Sequence, residues 1–204
     1  MKKFAFFVLV FVLAAVPAQA QVRFGLGLRA GASGHTHEVF ADGIDTHVGP
    51  AGSGNVFCLV TDWLLVGVNA EGGFHSFKAA GEDFGKISTL SVIPFVELRG
   101  PANAYLSLGV GYNFNFFDLD NPYPLGAGIM RKLDLDDTIA FRIGGGWDFF
   151  INDNLAANVE IGWKYNKGDA DAQLDVGGVT RQVKLADGFD ASEVVGLVGL
   201  RYFF

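Results

Sequence analysis

Cysteine is almost absent from this chain of 204 residues, in which Cys58 is the only one. A single thiol cannot form a disulfide within the chain, so the fold must be stabilised by other means. Cys58 lies in the apolar run from Val56 to Val60. We expect it to be a small apolar residue of that run and not a reactive thiol.

Basic residues are also scarce, with 15 Lys and Arg against 22 Asp and Glu, and two of the lysines stand at positions 2 and 3. Nucleic-acid-binding surfaces need clustered Lys and Arg, and the chain has no such cluster. We therefore expect no nucleic-acid partner.

Long apolar runs are missing after residue 20, which excludes a helical membrane protein. The one extended run, Phe4 to Val16, follows Lys2-Lys3 and precedes Ala18-Gln19-Ala20. This order predicts a secretory signal over residues 1–20, cut before Gln21, and a single mature domain over residues 21–204. The alternative is an uncleaved helical anchor, but ~13 apolar residues fall short of the ~20 that span a bilayer.

In place of long apolar runs, the mature chain has stretches in which apolar residues occupy every second position. In the stretches 64–75, 104–116, 139–149 and 157–165, apolar or aromatic residues alternate with small or polar ones. A soluble sandwich or a membrane barrel could produce such strands. Aromatic residues near the strand ends favour the barrel, because transmembrane barrels carry aromatic girdles at both interfaces: Trp63, Trp147, Phe149, Phe150, Trp163, Tyr165, Tyr202 and Phe204.

Connection lengths support the same fold. Tight turns at 61–62, 99–103 and 152–154 alternate with long polar stretches at 34–50, 76–86, 117–137 and 167–190, as in outer-membrane barrels. The prediction is an all-β, eight-stranded antiparallel transmembrane β-barrel embedded in outer-membrane lipid. Its strands should cover about 22–33, 51–60, 63–75, 87–98, 103–116, 138–150, 155–166 and 191–204.

The C-terminal strand ends on aromatic residues, with Tyr202 and Phe204 on one face. This ending resembles the signal by which the outer-membrane assembly machinery recognises barrel proteins. The segments 103–118 and 146–160, with the shorter Thr61–Trp63 and Thr89–Leu90, resemble the OmpW family of small outer-membrane β-barrel proteins. That resemblance implies a passive channel or carrier for small hydrophobic molecules, with a narrow lumen and a lateral opening in the wall.

The inward face derived from the alternation carries charges of both signs, which predicts a salt-bridged plug. Eight strands leave an interior that side chains can fill. The inward glycines, such as Gly109 and Gly144, could make room for long neighbouring side chains or leave a narrow passage, and Gly109→Ser is expected to be tolerated. The predicted polar network of the lumen comprises Arg23, Arg29, Glu71, Glu97, Arg99, Arg142, Asp148, Glu160, Lys164, Glu193 and Arg201.

A charged plug leaves an apolar solute only a sideways exit. Pro94 cannot donate a ladder hydrogen bond, and Gly72 and Gly73 lie on the preceding strand. These three residues predict a weak seam between the third and fourth strands.

The predicted loops give only weak indications of metal binding or catalysis. His35, His37 and His47 share one predicted loop with acidic residues and could bind a metal such as Zn²⁺, but a solvated polar loop is the favoured interpretation. Ser33 beside His35 could form a nucleophile pair, yet the spacing specifies no orienting carboxylate. We expect no enzyme and no cofactor. The alternative to transport is a structural, adhesive or surface-interaction barrel of the OmpX or opacity type.

Overall fold

The computed structural model describes residues 22–40, 44–79, 82–120, 122–125, 128–185 and 188–204. The predicted signal segment, residues 1–20, lies outside the described residues. In the described ranges no helix is long and apolar enough to cross a membrane. Their regular structure consists of fifteen strands, β1 to β15 in chain order, and a one-turn 3-10 helix, Pro101–Asn103.

Eight long strands form a closed wall in which every neighbouring pair is antiparallel. Around the wall the order is β1, β3, β4, β5, β6, β9, β10 and β15. These wall strands are β1 Arg23–His35, β3 Gly49–Thr61, β4 Leu64–Ala79, β5 Glu82–Arg99, β6 Ala104–Leu119, β9 Thr138–Phe150, β10 Leu155–Tyr165 and β15 Glu193–Phe203.

Closure is made by the first and last wall strands. β1 pairs with β15 from Gly25 opposite Phe203 to His35 opposite Glu193. In lipid each unpaired backbone group costs several kcal/mol, so a sheet inside the bilayer has to close on itself. The predicted eight-stranded antiparallel barrel is confirmed.

The two ends of the barrel differ in their connections. Short turns join β3 to β4, β5 to β6 and β9 to β10, and we call this end the turn end; in outer-membrane barrels it faces the periplasm. The opposite end is the loop end. There the predicted loop over 76–86 is wrong, because β4 and β5 continue into it and pair up to Ala79 opposite Glu82.

Seven shorter strands lie at the loop end: β2 Ile44–Thr46, β7 Tyr123–Leu125, β8 Gly128–Leu135, β11 Lys167–Gly168, β12 Ala170–Val176, β13 Val179–Lys184 and β14 Phe189–Asp190. β13, β12, β8 and β7 form a four-stranded sheet in that order. Gly177 and Gly178 have positive φ and turn the chain between β12 and β13, a backbone conformation that glycine adopts without steric cost. The predicted loops 117–137 and 167–190 are therefore largely folded.

The outer surface of the wall is apolar, as the alternation predicts. Val110, at the middle of β6, is 55% exposed, and its neighbours Ser107 and Asn113 are buried on the inner face. Aromatic side chains are exposed near both ends of the wall, Trp63 and Phe204 at the turn end and Phe116 and Trp163 at the loop end. This distribution is that of a lipid-facing band with aromatic girdles.

Candidate functional site inside the barrel

The interior at membrane level holds a continuous chain of ion pairs. Arg142 binds Glu71 at 3.0 Å and also binds Glu160, whose other oxygen binds Arg29. Lys164 extends the chain, with its Nζ 3.5 Å from Glu71 and 2.6 Å from Glu193. All six side chains are almost completely buried.

A second group of charges lies nearer the turn end. Arg201 binds Glu97 at 2.9 Å and Asp148 at 3.2 Å, and Arg99 reaches the same two carboxylates at 3.0 and 2.8 Å. Arg201 also lies 3.9 Å from Glu160, which joins the two groups. We call these ten residues, Arg29, Glu71, Glu97, Arg99, Arg142, Asp148, Glu160, Lys164, Glu193 and Arg201, the charged plug.

Arg23, the remaining residue of the predicted network, lies apart from the plug at the turn-end rim. Its guanidinium donates to the backbone carbonyl of Asp153 at 2.8 Å and lies 5.6 Å from the centre of the Phe203 ring. Just inside this rim, Phe57, Leu65, Ala156 and Phe203 form a small buried apolar cluster. The turn end is thus capped by apolar side chains beneath the plug.

Glycines make room for the plug. A Cβ at Gly144 would lie 2.8 Å from Nη1 of Arg142, and one at Gly199 would lie 2.7 Å from Cγ of Arg29. A Cβ at Gly109 would lie 2.5 Å from Cγ2 of Ile93. The sequence left two interpretations of these glycines, room for long neighbouring side chains or a narrow passage. The packing agrees with the first interpretation.

Little free space remains in the lumen. A cavity lined by Arg29, Ile93, Arg142, Glu160 and Arg201, among others, offers about 10 Å³, roughly what one water molecule needs. A solute larger than water does not fit into this cavity beside the charged plug.

Above the plug, towards the loop end, the lining becomes neutral and then apolar. Asn113 and Asn115 on β6 accept hydrogen bonds from Ser91 and Thr89 on β5, and Asn115 exchanges hydrogen bonds with Asn166. Beyond this amide layer lies the loop-end cluster of buried apolar residues, Val39, Phe77, Ile87, Met130, Leu133, Ala170, Ala172, Phe189 and Ala191. Partly buried Phe40, Phe117 and Leu119 pack against it.

The predicted seam between the third and fourth strands is misplaced. Pro94 is opposite Val68, and Gly72 and Gly73 are opposite Leu90 and Thr89, in a ladder that is continuous across these positions. The interruption lies on the other side of Pro94. Between β5 and β6 the ladder passes from Val92 opposite Tyr112 to Phe95 opposite Gly109 without pairing the residues between them, because proline has no N–H to donate.

A second break in the wall lies at the loop end. The β6–β9 ladder stops at Asn113 opposite Thr138, while β6 continues to Leu119. There β6 lies beside β8, but in the part of the chain that the structure describes these two strands share no backbone ladder. This stretch of β6, which pairs with β5 but shares no ladder with β8, borders the loop-end cluster. Phe117 and Leu119 contribute to that cluster from β6, and Met130 and Leu133 contribute from β8.

The three predicted metal candidates are not gathered into one site. His35 lies against the ring of His75, with 4.1 Å between ring centres, whereas His37 is exposed and the backbone carbonyl of His47 contacts His75. Within the described ranges, no group of three or more His, Cys, Asp or Glu residues is placed to hold a metal ion.

Ser33 contacts His75 and not His35. Its Oγ lies 3.0 Å from Nε2 of His75, and Glu193 Oε2 lies 3.0 Å from that same nitrogen. In serine hydrolases the acid binds the ring nitrogen opposite the one that faces the serine. The arrangement is therefore not that of a catalytic triad.

Sequence reasoning missed the roles of several inward residues. Tyr105 donates to Glu160 at 2.8 Å and its ring lies 4.6 Å from the Arg201 guanidinium. His75 and Asn113 lie on the inward face of the alternation, but only the register between strands shows which partners they meet. The sequence predicts that each of these side chains points inward, but it does not predict which residue each one contacts.

A closed antiparallel wall, an apolar outer band and a charged interior define a small outer-membrane β-barrel. A family model described as "Outer membrane protein beta-barrel domain" matches residues 6–201, and the chain belongs to that family. The protein is therefore a component of the Gram-negative outer membrane.

Solved structures share this fold. Outer membrane protein OprG from Pseudomonas aeruginosa is 16% identical with a TM-score of 0.57, over 90% of this chain and 94% of that one. Outer membrane protein AlkL, determined in lipid bilayers, is 13% identical with a TM-score of 0.56, over 92% of this chain and 94% of that one. No curated protein matches the chain. At the level of fold, the predicted resemblance to small outer-membrane barrels of the OmpW type is confirmed.

Proposed function

We propose that the barrel is a passive carrier for small apolar molecules, which enter the loop-end cluster and leave sideways between β6 and β8 at the level of the loop-end aromatic girdle. The observation that carries this proposal is the absence of a β6–β8 ladder, among the described strands, beside an apolar interior. Entry requires the partly buried Phe40, Phe117 and Leu119 to move aside, and a small apolar solute would replace their contacts with contacts of the same kind.

The charged plug argues against an axial route. An apolar solute passing Arg142, Glu71 and Glu160 would separate buried ions from their partners, and buried unpaired charges are very costly. The break beside Pro94 meets the same obstacle, because the cavity behind it is lined by Arg29, Arg142 and Glu160. Of the two breaks seen in the described wall, the β6–β8 stretch is the one that adjoins an apolar interior.

Crosslinking tests the route. In a Cys58→Ala background, Leu119→Cys and Leu133→Cys would be joined by a flexible bis-maleimide across β6 and β8. The matched control joins Val92→Cys to Tyr112→Cys, which face each other across the β5–β6 ladder. Uptake of a panel of hydrophobic solutes would be measured in vesicles, with folding checked by heat-dependent electrophoretic mobility.

We expect the β6–β8 link to reduce uptake to the rate of empty vesicles and the control link to leave it unchanged. Normal uptake by a folded, fully linked β6–β8 variant would overturn this exit. Loss of uptake with the β5–β6 link alone would instead place the exit beside Pro94.

The second candidate function is a structural, adhesive or surface-interaction barrel without transport. It is favoured by the filled plug and by β13, all six residues of which are exposed on the four-stranded sheet. The same vesicle assay separates the two functions, because absence of uptake by the unmodified, folded protein would leave this candidate as the better account.

Three further proposals complete the functional assignment. A non-enzymatic role is supported by the geometry of Ser33, His75 and Glu193, and the absence of a nucleic-acid partner by the acidic composition.

Recognition by the assembly machinery is proposed for the C-terminus, where Tyr202 and Phe204 are exposed on the lipid face with ring centres 5.0 Å apart. Deletion of Phe204 should lower the amount of folded barrel in outer-membrane fractions, whereas Phe149→Leu should not.

A further inference from the structure

His75 lies at the loop end of the charged plug, where four wall strands come together. Its Nδ1 lies 3.2 Å from the backbone carbonyl oxygen of His47, just before β3. Its Nε2 lies 3.0 Å from Glu193 Oε2 on β15 and 3.0 Å from Ser33 Oγ on β1. His75 itself belongs to β4.

The site is built around the imidazole. A Cβ at Gly49 would lie 3.1 Å from Nδ1 of His75, and one at Gly73 would lie 3.4 Å from its Nε2 and 3.5 Å from Glu193 Oε2. Larger residues at these two positions would crowd the ring or its carboxylate partner. His75 is 3% exposed, so water does not replace these contacts.

Each ring nitrogen faces one group that can only accept a hydrogen bond, and Nε2 also faces the Ser33 hydroxyl, which can donate or accept. The carbonyl of His47 has no proton to give, so Nδ1 must carry one to bond it. Glu193 is ionised through its pairing with Lys164, so Nε2 must also carry a proton to bond the carboxylate. A neutral imidazole would turn a lone pair towards one of these oxygens. Both of these acceptors are therefore bonded at once only when both ring nitrogens carry protons.

His75 is also the last residue of a chain of ion pairs. Among the cations of that chain, histidine is the side-chain type that gives up its proton most readily. The chain runs from His75 through Glu193, Lys164 and Glu71 to Arg142. The ionisable groups that face the imidazole are Glu193 on β15, Lys164 behind it on β10 and the His35 ring on β1, while β3 presents only the His47 carbonyl. Histidine is the side chain that changes charge near neutral pH.

We propose that His75 is a proton-dependent brace that ties the loop ends of β1, β3, β4 and β15 together while it is doubly protonated. The sign follows from the contacts. The bonds to His47 and Glu193 exist together only while the ring is an imidazolium, because a neutral ring keeps one N–H. Loss of the proton removes one of the two bonds, so the strand ends loosen as the pH rises. The brace is independent of solute transport, since it concerns only the order of the wall.

Two measurements on the full-length protein in lipid test the brace. The first is nitrogen NMR of ¹⁵N-labelled histidine, which distinguishes imidazolium from either neutral tautomer. At pH 6 we expect both nitrogens of His75 to carry protons, with exposed His37 as the ordinary reference. A single neutral tautomer for His75 at pH 6 would overturn the proposal.

The second measurement is amide hydrogen exchange over residues 47–49 and 74–77, corrected for the intrinsic effect of pH. Exchange should rise about tenfold as the proton is lost, the scale set by one charge-assisted hydrogen bond. His75→Gln should exchange fast at every pH. His37→Gln is the control and should behave as wild type. A rise that persists unchanged in a folded His75→Gln variant would overturn the brace.

Discussion

Along β5, Ile87 points into the loop-end cluster and Lys86 points outward, whereas further along the same strand Glu97 points into the charged plug and Val96 points outward. The loop-end half of the barrel thus follows the rule of a soluble protein, with apolar residues inside. The membrane half follows the opposite rule, because its surroundings are lipid. Inward and outward residues alternate in both halves. Apolar residues face inward in the loop-end half and outward in the membrane half.

This comparison shows where the wall leaves the bilayer. On β4 the exchange falls between Glu71, which is buried among charges, and Phe77, which is buried among apolar side chains. His75 and the amide layer occupy the boundary on the inside. A lateral exit is physically reasonable only on the loop-end side of that boundary, where an apolar solute would not displace buried charges.

Breaking the plug should have the largest effect on stability. Glu160→Ala would leave Arg29 and Arg142 buried beside a missing partner, which should cost ~3–5 kcal/mol of unfolding free energy. The comparison variant, Asp120→Ala, removes the exposed partner of Lys86 at the loop end, and surface pairs contribute at most about 1 kcal/mol. Urea unfolding in lipid vesicles measures both, and equal losses would contradict a membrane-level plug.

The outer face should respond strongly to charge, and in a depth-dependent way. Val110→Arg near the middle of the lipid-facing band should cost ~2–4 kcal/mol, whereas Phe116→Arg at the loop-end girdle should cost ~0–1 kcal/mol. The same vesicle unfolding experiment applies. A similar cost at both positions would show that the bilayer boundary has been placed at the wrong height on β6.

Two glycines provide a smaller and sharper contrast. Gly109→Ser, expected from the alternation to be tolerated, should cost ~1–3 kcal/mol, because its Cβ would lie 2.5 Å from Ile93 and 2.9 Å from the Pro94 carbonyl oxygen. Gly196→Ser faces outward, where a Cβ would meet no atom within 4 Å, and should be nearly neutral. If Gly109→Ser is as stable as wild type, the interior is looser than the packing indicates.

The wall could be predicted from the sequence because alternation, tight turns and terminal aromatic residues all act locally along the chain. The inward position of Arg142 or Glu160 follows from the same alternation. Their pairing does not, because it depends on the stagger between strands that are far apart in sequence. The side of Pro94 on which the ladder breaks depends on which neighbour its missing N–H would face, and the sequence of one strand does not contain that information.

The loop-end sheet escaped prediction for a different reason. β8, β12 and β13 are short and carry interspersed charges such as Arg131, Asp171 and Lys184, so their pattern is that of a polar loop. β8 and β12 are strands because Met130, Leu133 and Ala172 pack together over the barrel mouth, and β13 is a strand because it pairs with β12. Such a cluster exists only after the wall has brought distant segments together.

The charged plug closes the described membrane half of the barrel, and the proposed carrier would therefore have to release solutes sideways. Ion conductance of the unmodified, folded protein in planar lipid bilayers tests this closure most directly. The ion pairs and the small residual cavity predict no steady conductance for Na⁺ or Cl⁻. Stable, reproducible conductance steps would contradict the closed plug and restore an axial pore.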